Sequence, residues 1–293
     1  MRLIEVIQRS TTFLESRGVE SPRLQVELIL AHVLRIPRLQ LYLQFDRPLL
    51  PEVLDAARLA VQRRGQRIPL QHILGSTSFC GLEMEVSSDT LIPRPETEWL
   101  AEHAWNWLAH NKAALPPQPR VLDWGTGTGC LAIAITHHHP SARITAIDVS
   151  PPTLAIAQRN ATHHGLADRI EFVQADGVEP LPGDLRFHLI VGNPPYIPTA
   201  EIPTLEPEVR DHDPTLALDG GPDGLVVYRR LARSLKDRLL PQGVVMLEFG
   251  DGQAREIARV LTQAGWSDPE VHQDASGRER FLVARVSQPS TIS

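Results

Sequence analysis

Two short stretches concentrate the residue types that can do chemistry. The first is Asp123-Trp124-Gly125-Thr126-Gly127-Thr128-Gly129. Glycines let a backbone turn tightly and approach a ligand closely. A helix beginning there offers free N–H donors. The spacing is G-x-G-x-G, with Asp123 two residues ahead of it, and differs from the G-x-G-x-x-G of a dinucleotide site. Asp123 beside the loop suits an ammonium better than a phosphate. Asp148 follows 19 residues beyond Gly129 and can accept from both hydroxyls of an adenosine ribose. A third acid, Asp176, is placed to reach an adenine amino group.

The second stretch is Asn193-Pro194-Pro195-Tyr196. Consecutive prolines fix the backbone and remove N–H donors. The Pro194 carbonyl is then free of competition from a neighbouring donor, and Asn193 adds a side-chain carbonyl beside it. Together they can accept both hydrogens of a planar NH₂ group. Tyr196 offers an aromatic face to a flat substrate. A carboxamide nitrogen is a poor nucleophile because its lone pair is delocalised. Two acceptors that orient the NH₂ and favour pyramidalisation aim that lone pair at an electrophile, so positioning and electrostatics carry the catalysis.

These stretches need a scaffold. From residue 120 onward the pattern alternates strand and helix, with strands expected at Arg120–Asp123, Arg143–Asp148, Ile170–Ala175, Phe187–Gly192, Val244–Phe249 and Phe281–Arg285. That alternation predicts an α/β fold with a mainly parallel sheet covered on both faces. Both stretches then sit at C-terminal strand ends, where open α/β sheets bind ligands. Residues 1–66 show only helical periodicity: a helix near the N-terminus, one begun by Ser21 as N-cap with Pro22 at its first position, and one opened by Pro51. Leu24, Leu28 and Ala31 are expected on one apolar face of the second. Phe79, Leu82, Met84 and Val86 alternate with polar residues, and Leu91-Ile92 follows a Ser87-Ser88-Asp89 turn, so a β-hairpin is expected to join the two parts. The expected organisation is a helical domain over 1–78, a hairpin linker over 79–92, the α/β domain over 93–286 and a tail over 287–293.

Of the 293 residues, 42% are apolar and 22% charged, which excludes wholesale disorder and fibrous classes. No apolar run approaches the length of a membrane helix, and Glu5 interrupts the stretch where a secretion signal would lie. Cys80 and Cys130 read as buried thiols in a reducing cytoplasm. The net charge of −6 divides unevenly. Residues 1–80 hold 11 Arg and 7 Asp/Glu, a surplus of +4, while the remainder carries −10. Nucleic-acid binding needs clustered cations, so the acidic part is a poor candidate for it.

Asp-x-Gly-x-Gly-x-Gly with strand-end acids resembles the class I S-adenosylmethionine-dependent methyltransferases. A nicotinamide fold is disfavoured further by the lack of a hydride-transfer site. The Asn193–Tyr196 tetrad resembles that of amino-methyltransferases acting on adenine or on glutamine amides, and alone it does not choose between them. Leu91-Ile-Pro-Arg94-Pro-Glu96-Thr-Glu98, Ser21-Pro22-Arg23, Arg67-Ile-Pro-Leu-Gln-His-Ile-Leu-Gly75, Ala217-Leu-Asp-Gly-Gly221, Leu247-Glu-Phe-Gly250 and Gly277-Arg-Glu-Arg280 resemble the bacterial release-factor glutamine N5-methyltransferases (the PrmC/HemK family) over nearly the whole chain. The resemblance implies a Rossmann-like methyltransferase domain. It implies S-adenosyl-L-methionine held by Asp123, Gly125, Thr126, Gly127, Thr128, Gly129, Asp148, Val149, Asp176 and Gly177, with Asn193 near the methyl group. It implies the glutamine of the Gly-Gly-Gln motif of class I peptide chain release factors as substrate. That glutamine would be held by Asn193, Pro194, Pro195 and Tyr196, with Asn193, Pro194 and Tyr196 catalytic. The helical domain would dock the release factor. A cytoplasmic monomer without metal, membrane or direct nucleic-acid contact is expected. The alternatives are a glutamine of a ribosomal protein, or adenine N6 in nucleic acid.

Two positions depart from that family. Gly177 stands where relatives often carry Trp near the adenine, so the stacking contact either comes from elsewhere, with Val149 the candidate, or is weaker. Trp124 replaces an aliphatic residue and is expected to pack against the sheet. Arg94 and Glu98 either line the cofactor site or pin the segment between domains, and Arg94 is also a candidate substrate contact. His137-His-His139 reads as a helix end stopped by Pro140 rather than a metal cluster. Glu206 and Glu208 lie on a Pro-rich loop that could cover the substrate, with a solvated loop as the default expectation.

Overall fold

The computed structural model describes residues 1–267 and 269–286. The expected tail, 287–293, lies outside the described residues. Five helices come first: α1 (Leu3–Ser16), α2 (Pro22–Leu34), α3 (Arg38–Leu41), α4 (Pro51–Gly65) and α5 (Leu70–Leu74). A hairpin, β1 (Ser76–Phe79) and β2 (Leu82–Glu85), leads to α6 (Pro95–His110), β3 (Arg120–Trp124), α7 (Cys130–His138), β4 (Arg143–Asp148), α8 (Pro151–His163), β5 (Ile170–Gln174) and β6 (Phe187–Gly192). Then follow α9 (Pro207–Arg210), α10 (Thr215–Leu218), α11 (Val226–Ser234), β7 (Leu239–Glu248), α12 (Ala254–Gln263), β8 (Glu270–Gln273) and β9 (Glu279–Ala284). Proline opens α2, α4, α6 and α8, where its missing N–H would have had no helical partner and its fixed φ suits the first turn.

The chain divides into two compact units. One is Met1–Ser76 with Leu205–His212; the other is Thr77–Thr204 with the chain from Asp213 onward. In the helical unit, Leu3, Ile7, Leu14, Val26, Ile29, Leu30 and Leu41 are fully buried. On α2 the buried face is Val26, Ile29 and Leu30, whereas Leu24, expected inside, is exposed. Ser21 does not cap α2: it is left-handed, with φ 46°, and makes no capping bond through its side chain. The buried Glu27 accepts from Arg23 Nε, Arg38 Nη1 and Tyr42 Oη at 3.0, 2.8 and 2.7 Å, which offsets the cost of its burial.

Glu208 is not on a solvated loop. Its Oε1 accepts from Arg64 Nη2 and Arg67 Nε, and its Oε2 from Arg67 Nη2, each at 2.6 Å. Arg64 is itself buried, with a side chain 5% exposed. Glu206 is reached by Arg67 at 3.1 Å but remains exposed. Sequence distance concealed this cluster, since Glu208 lies 144 residues beyond Arg64.

The second unit is built on a seven-stranded sheet in the order β5-β4-β3-β6-β7-β9-β8. It is parallel from β5 through β7, and β9 and β8 run antiparallel. One apolar core packs α6 and α7 on one face, and another packs α11 and α12 on the opposite face. The strand Glu270–Gln273 was not expected: it is a short, exposed edge strand without an apolar run. The hairpin turns at Cys80-Gly81, and Leu91-Ile92 lies outside it. Glu98 accepts from the Cys80 N–H at 2.8 Å, tying α6 to that turn. Cys130 is buried, but Cys80 is only half-buried.

Candidate active site

Strand order reverses between β3 and β6, since β4 and β5 continue to one side and β7 to the other. Crevices at such switch points bind ligands in open α/β sheets. Register decides which residues meet there. Trp124 pairs with Gly192, so Gly125 and Asn193 leave adjacent strands side by side. Gly192 also pairs with Leu247, which brings Glu248 beside Asn193 from the other strand. A Cβ on Gly192 would stand 2.8 Å from the Trp124 carbonyl, so this close approach requires glycine. Trp124 packs on the core beneath α11 and α12, as expected.

The loop after β3 is held from below. Thr126 N–H donates to the Ile147 carbonyl at 2.9 Å, and Thr126 Oγ1 donates to Asp123 Oδ2 at 2.6 Å. Ala132 N–H donates to the same oxygen at 3.1 Å. Gly125 and Gly127 have φ of 68° and 56°, and a Cβ built on either meets open space, so this backbone faces outward. Gly129 begins α7, and the Thr128 carbonyl accepts from Asn160 at 2.9 Å. Asp148 ends β4, with Oδ2 accepting from Gly127 N–H and Oδ1 from Ser150 N–H, both at 3.0 Å.

Asp123 is fully buried, and its Oδ1 has no hydrogen-bond partner. Burial pushes its carboxyl up to about 7, helped by the nearby Asp148, while the bonds from Thr126 and Ala132 oppose the rise. An orphaned buried carboxylate oxygen under an outward-facing glycine loop fits a cationic ligand. Asp148 is also raised by burial, against its backbone hydrogen bonds. Val149 is partly exposed beside it. Asp176 lies two residues past β5 and is exposed, and its Oδ1 accepts from both terminal nitrogens of Arg230 at 3.1 Å. A Cβ on Gly177 would meet the Glu179 carboxylate first and Arg230 Nη2 at 2.8 Å, so these two side chains occupy that side of Gly177.

In the tetrad, Asn193 Nδ2 donates to Glu248 Oε1 at 2.9 Å and to Thr97 Oγ1 at 3.2 Å. Pro194 is buried; Pro195 and Tyr196 are half-buried. Burial, with the neighbouring Glu248, pushes the Tyr196 hydroxyl up to about 12, which keeps the ring neutral. The Tyr196 carbonyl accepts from Gln253 Nε2 at 2.8 Å, and Gln253 Oε1 accepts from Gly250 N–H at 3.0 Å. Arg94 precedes α6 and donates to Asp213 Oδ2 at 2.5 Å. His138 ends α7 and stacks on Trp105 with ring centroids 4.0 Å apart.

Sequence reasoning therefore brought Asp123, Asp148 and Asn193 to one crevice and missed Thr97, Glu248, Gln253 and Arg230. Glu248 had a signal, since it ends a strand beside a tetrad strand. That adjacency is visible only once strand order is known.

Comparison with known proteins follows the same lines. The PrmC N-terminal domain family matches residues 5–75, and the methyltransferase small domain family matches residues 107–205. A release factor glutamine methyltransferase of Geobacter sulfurreducens is 42% identical over 282 residues, covering 96% of each chain. One of Deinococcus radiodurans is 41% identical, covering 97% of this chain and 99% of its own. Among solved structures, the hMettl16 catalytic domain in complex with a MAT2A 3′UTR hairpin matches with TM-score 0.56 at 16% identity, over 80% of this chain and 84% of its own. A Thermus thermophilus 16S rRNA N2 G1207 methyltransferase, in complex with AdoMet and guanosine, matches with TM-score 0.52 at 18% identity, over 72% of this chain and 50% of its own. Those two likenesses are of fold alone.

Proposed function

We propose that this protein methylates a glutamine side chain of a peptide chain release factor, because the chain belongs to the release factor glutamine methyltransferase family. The carrying observation is that identity above 40% extends over 96% of the chain, helical unit included. A likeness confined to the α/β unit would fit many methyltransferases. We assign the amide nitrogen of the Gly-Gly-Gln glutamine in class I release factors as the acceptor atom, and the helical unit as a docking module.

S-adenosylmethionine, when bound, supplies an electrophilic methyl group. Asp123, Gly125, Gly127 and Asp148 are the residues that hold it in this reading, with Val149, Asp176 and Gly177 toward the adenine. Support comes from the unpartnered Asp123 Oδ1 and the outward loop. The rest of the chemistry belongs to the protein. Asn193 Oδ1 and the Pro194 carbonyl accept the two hydrogens of the substrate NH₂. This fixes the plane of the amide and directs its lone pair, which is a positioning contribution. Tyr196 packs on the flat group, and Gln253 holds the Tyr196 carbonyl in place.

Labelled S-adenosylmethionine offered with purified release factor, ribosomal protein or DNA tests the assignment. Label is expected on the release factor and is expected to vanish when the motif glutamine is replaced. Label on ribosomal protein or DNA with none on release factor would overturn it.

A further inference from the structure

We propose that Thr97 and Glu248 are positioning residues that determine which end of the Asn193 amide faces the substrate. This rests on the reading of Asn193 as acceptor for the substrate NH₂. The two ends of a primary amide are nearly equal in size and opposite in hydrogen bonding. Packing alone cannot tell them apart, and a flipped Asn193 would present N–H to N–H. Something beside it must accept and not donate.

Glu248 meets that need. It ends β7, is 2% exposed, and accepts from Asn193 Nδ2 at 2.9 Å. Thr97 Oγ1 accepts from the same Nδ2 at 3.2 Å, and the Thr97 side chain lies close enough to the Glu248 carboxyl to oppose the rise that burial causes. Glu248 holds Nδ2 on this side, so the Thr97 hydroxyl meets an N–H and acts toward Asn193 as an acceptor. Both N–H bonds of the amide are spent on this side, so Oδ1 lies at the other end of the group.

The arrangement is costly. Glu248 Oε2 is buried without a partner, and burying an under-satisfied carboxylate is unfavourable. A glutamine in this place would fill the same volume without the charge but could present either end. A buried carboxylate is retained here because it accepts only. The Glu248 carbonyl also accepts from Tyr228 Oη at 2.5 Å, which fixes the backbone that carries the side chain. Glu96, Arg280, Tyr196 and Tyr228 are the other titratable groups that bear on this carboxyl, and burial pushes it up to about 7. Protonation turns the acceptor into a group that can also donate, and so permits the flipped amide.

The test compares Thr97→Val, Thr97→Ser, Glu248→Gln and Asn193→Ala in methyl transfer to release factor. Thr97→Val and Glu248→Gln are expected to lose kcat by about 10- to 100-fold, the size of a roughly 1 Å misplacement. KM for release factor and the cofactor dissociation constant should stay within about threefold. Thr97→Ser, which keeps the hydroxyl, should recover most of kcat. The acid limb of the wild-type kcat–pH profile should be absent in Glu248→Gln. Wild-type kcat in Thr97→Val, or equal losses in Thr97→Ser and Thr97→Val, would overturn the proposal. Should Glu248→Gln fail to fold, the two Thr97 variants decide. Near-normal turnover in Asn193→Ala would instead refute the underlying reading of Asn193, so the two failures are distinguishable.

Discussion

Asp123 has both a buried, unpartnered oxygen and a carboxyl pushed up to about 7 by burial. Its value in the folded chain stands above the ordinary 3.8, so ionising it costs the fold. That cost is felt as pH rises, and a bound cation offsets it. Thr126, the Ala132 N–H, Asp148 and Cys130 are the groups that bear on it, and none of them is a cation. Affinity for S-adenosylmethionine should therefore fall as pH drops below 7. Between pH 8 and pH 6 a loss of about tenfold is expected, since the ionised fraction of a group near 7 changes by about that factor. Titration calorimetry across that range checks it, with Asp123→Asn as the flat, weaker control. A wild-type affinity that does not change with pH would sink the idea, as would the same slope in Asp123→Asn. The candidate site was legible in sequence where one motif carries its own geometry. A glycine loop announces its turn and a double proline its rigidity, so Asp123, Asp148 and Asn193 could be named from local spacing. Thr97, Gln253 and Arg230 could not, because their partners lie 96, 57 and 54 residues away in sequence.

At the scale of elements, the segment Leu205–His212 belongs with the helices of residues 1–76, and Glu208 is its anchor. Burial alone would push the Glu208 carboxyl upward, but the hydrogen bonds from Arg67 and Arg64 outweigh it and hold it at about 2. Removing one partner of a buried ion cluster leaves the other charges uncompensated. Glu208→Ala should destabilise the full chain by about 3 kcal/mol in urea unfolding. Arg58→Ala, which breaks the exposed Arg58–Asp55 pair, should cost less than about 1 kcal/mol. Because the folded value lies below the ordinary 4.5, the Glu208 contribution is complete above that pH and is lost as pH falls toward 2. Equal effects from the two substitutions would show that the cluster holds nothing. Elements with a strong local signal were legible: the parallel strands as apolar runs, and the helices opened by proline. Glu270–Gln273 was not, since a short polar edge strand is specified by its pairing with β9. The Ser21 cap failed because Ser21 takes a left-handed backbone, which no residue pattern announces.

For the whole molecule, the structure alters what the divided charge means. The +4 of residues 1–80 is the balance of a stretch of sequence, not of a surface. Arg23 and Arg38 are engaged by Glu27, and Arg64 and Arg67 by Glu208. With Leu205–His212 included, which brings Glu206, Glu208, Asp211 and Arg210, the helical unit carries a net charge of only +2. If this unit docks the release factor, as proposed, that balance draws little on long-range attraction, and steering of an acidic partner is weak. The expected outcome is a KM for release factor that changes less than about threefold between roughly 0.05 and 0.3 M salt, because a net charge of only +2 leaves little long-range attraction to be screened. Docking through the full arginine set predicts instead a rise of more than about tenfold, carried mainly by slower association. Steady-state methylation at graded ionic strength separates the two, provided cofactor affinity is measured alongside. A steep rise confined to KM for the release factor would mean that the arginines leave Glu27 and Glu208 to meet the partner, and the +4 read from sequence would be the relevant charge after all.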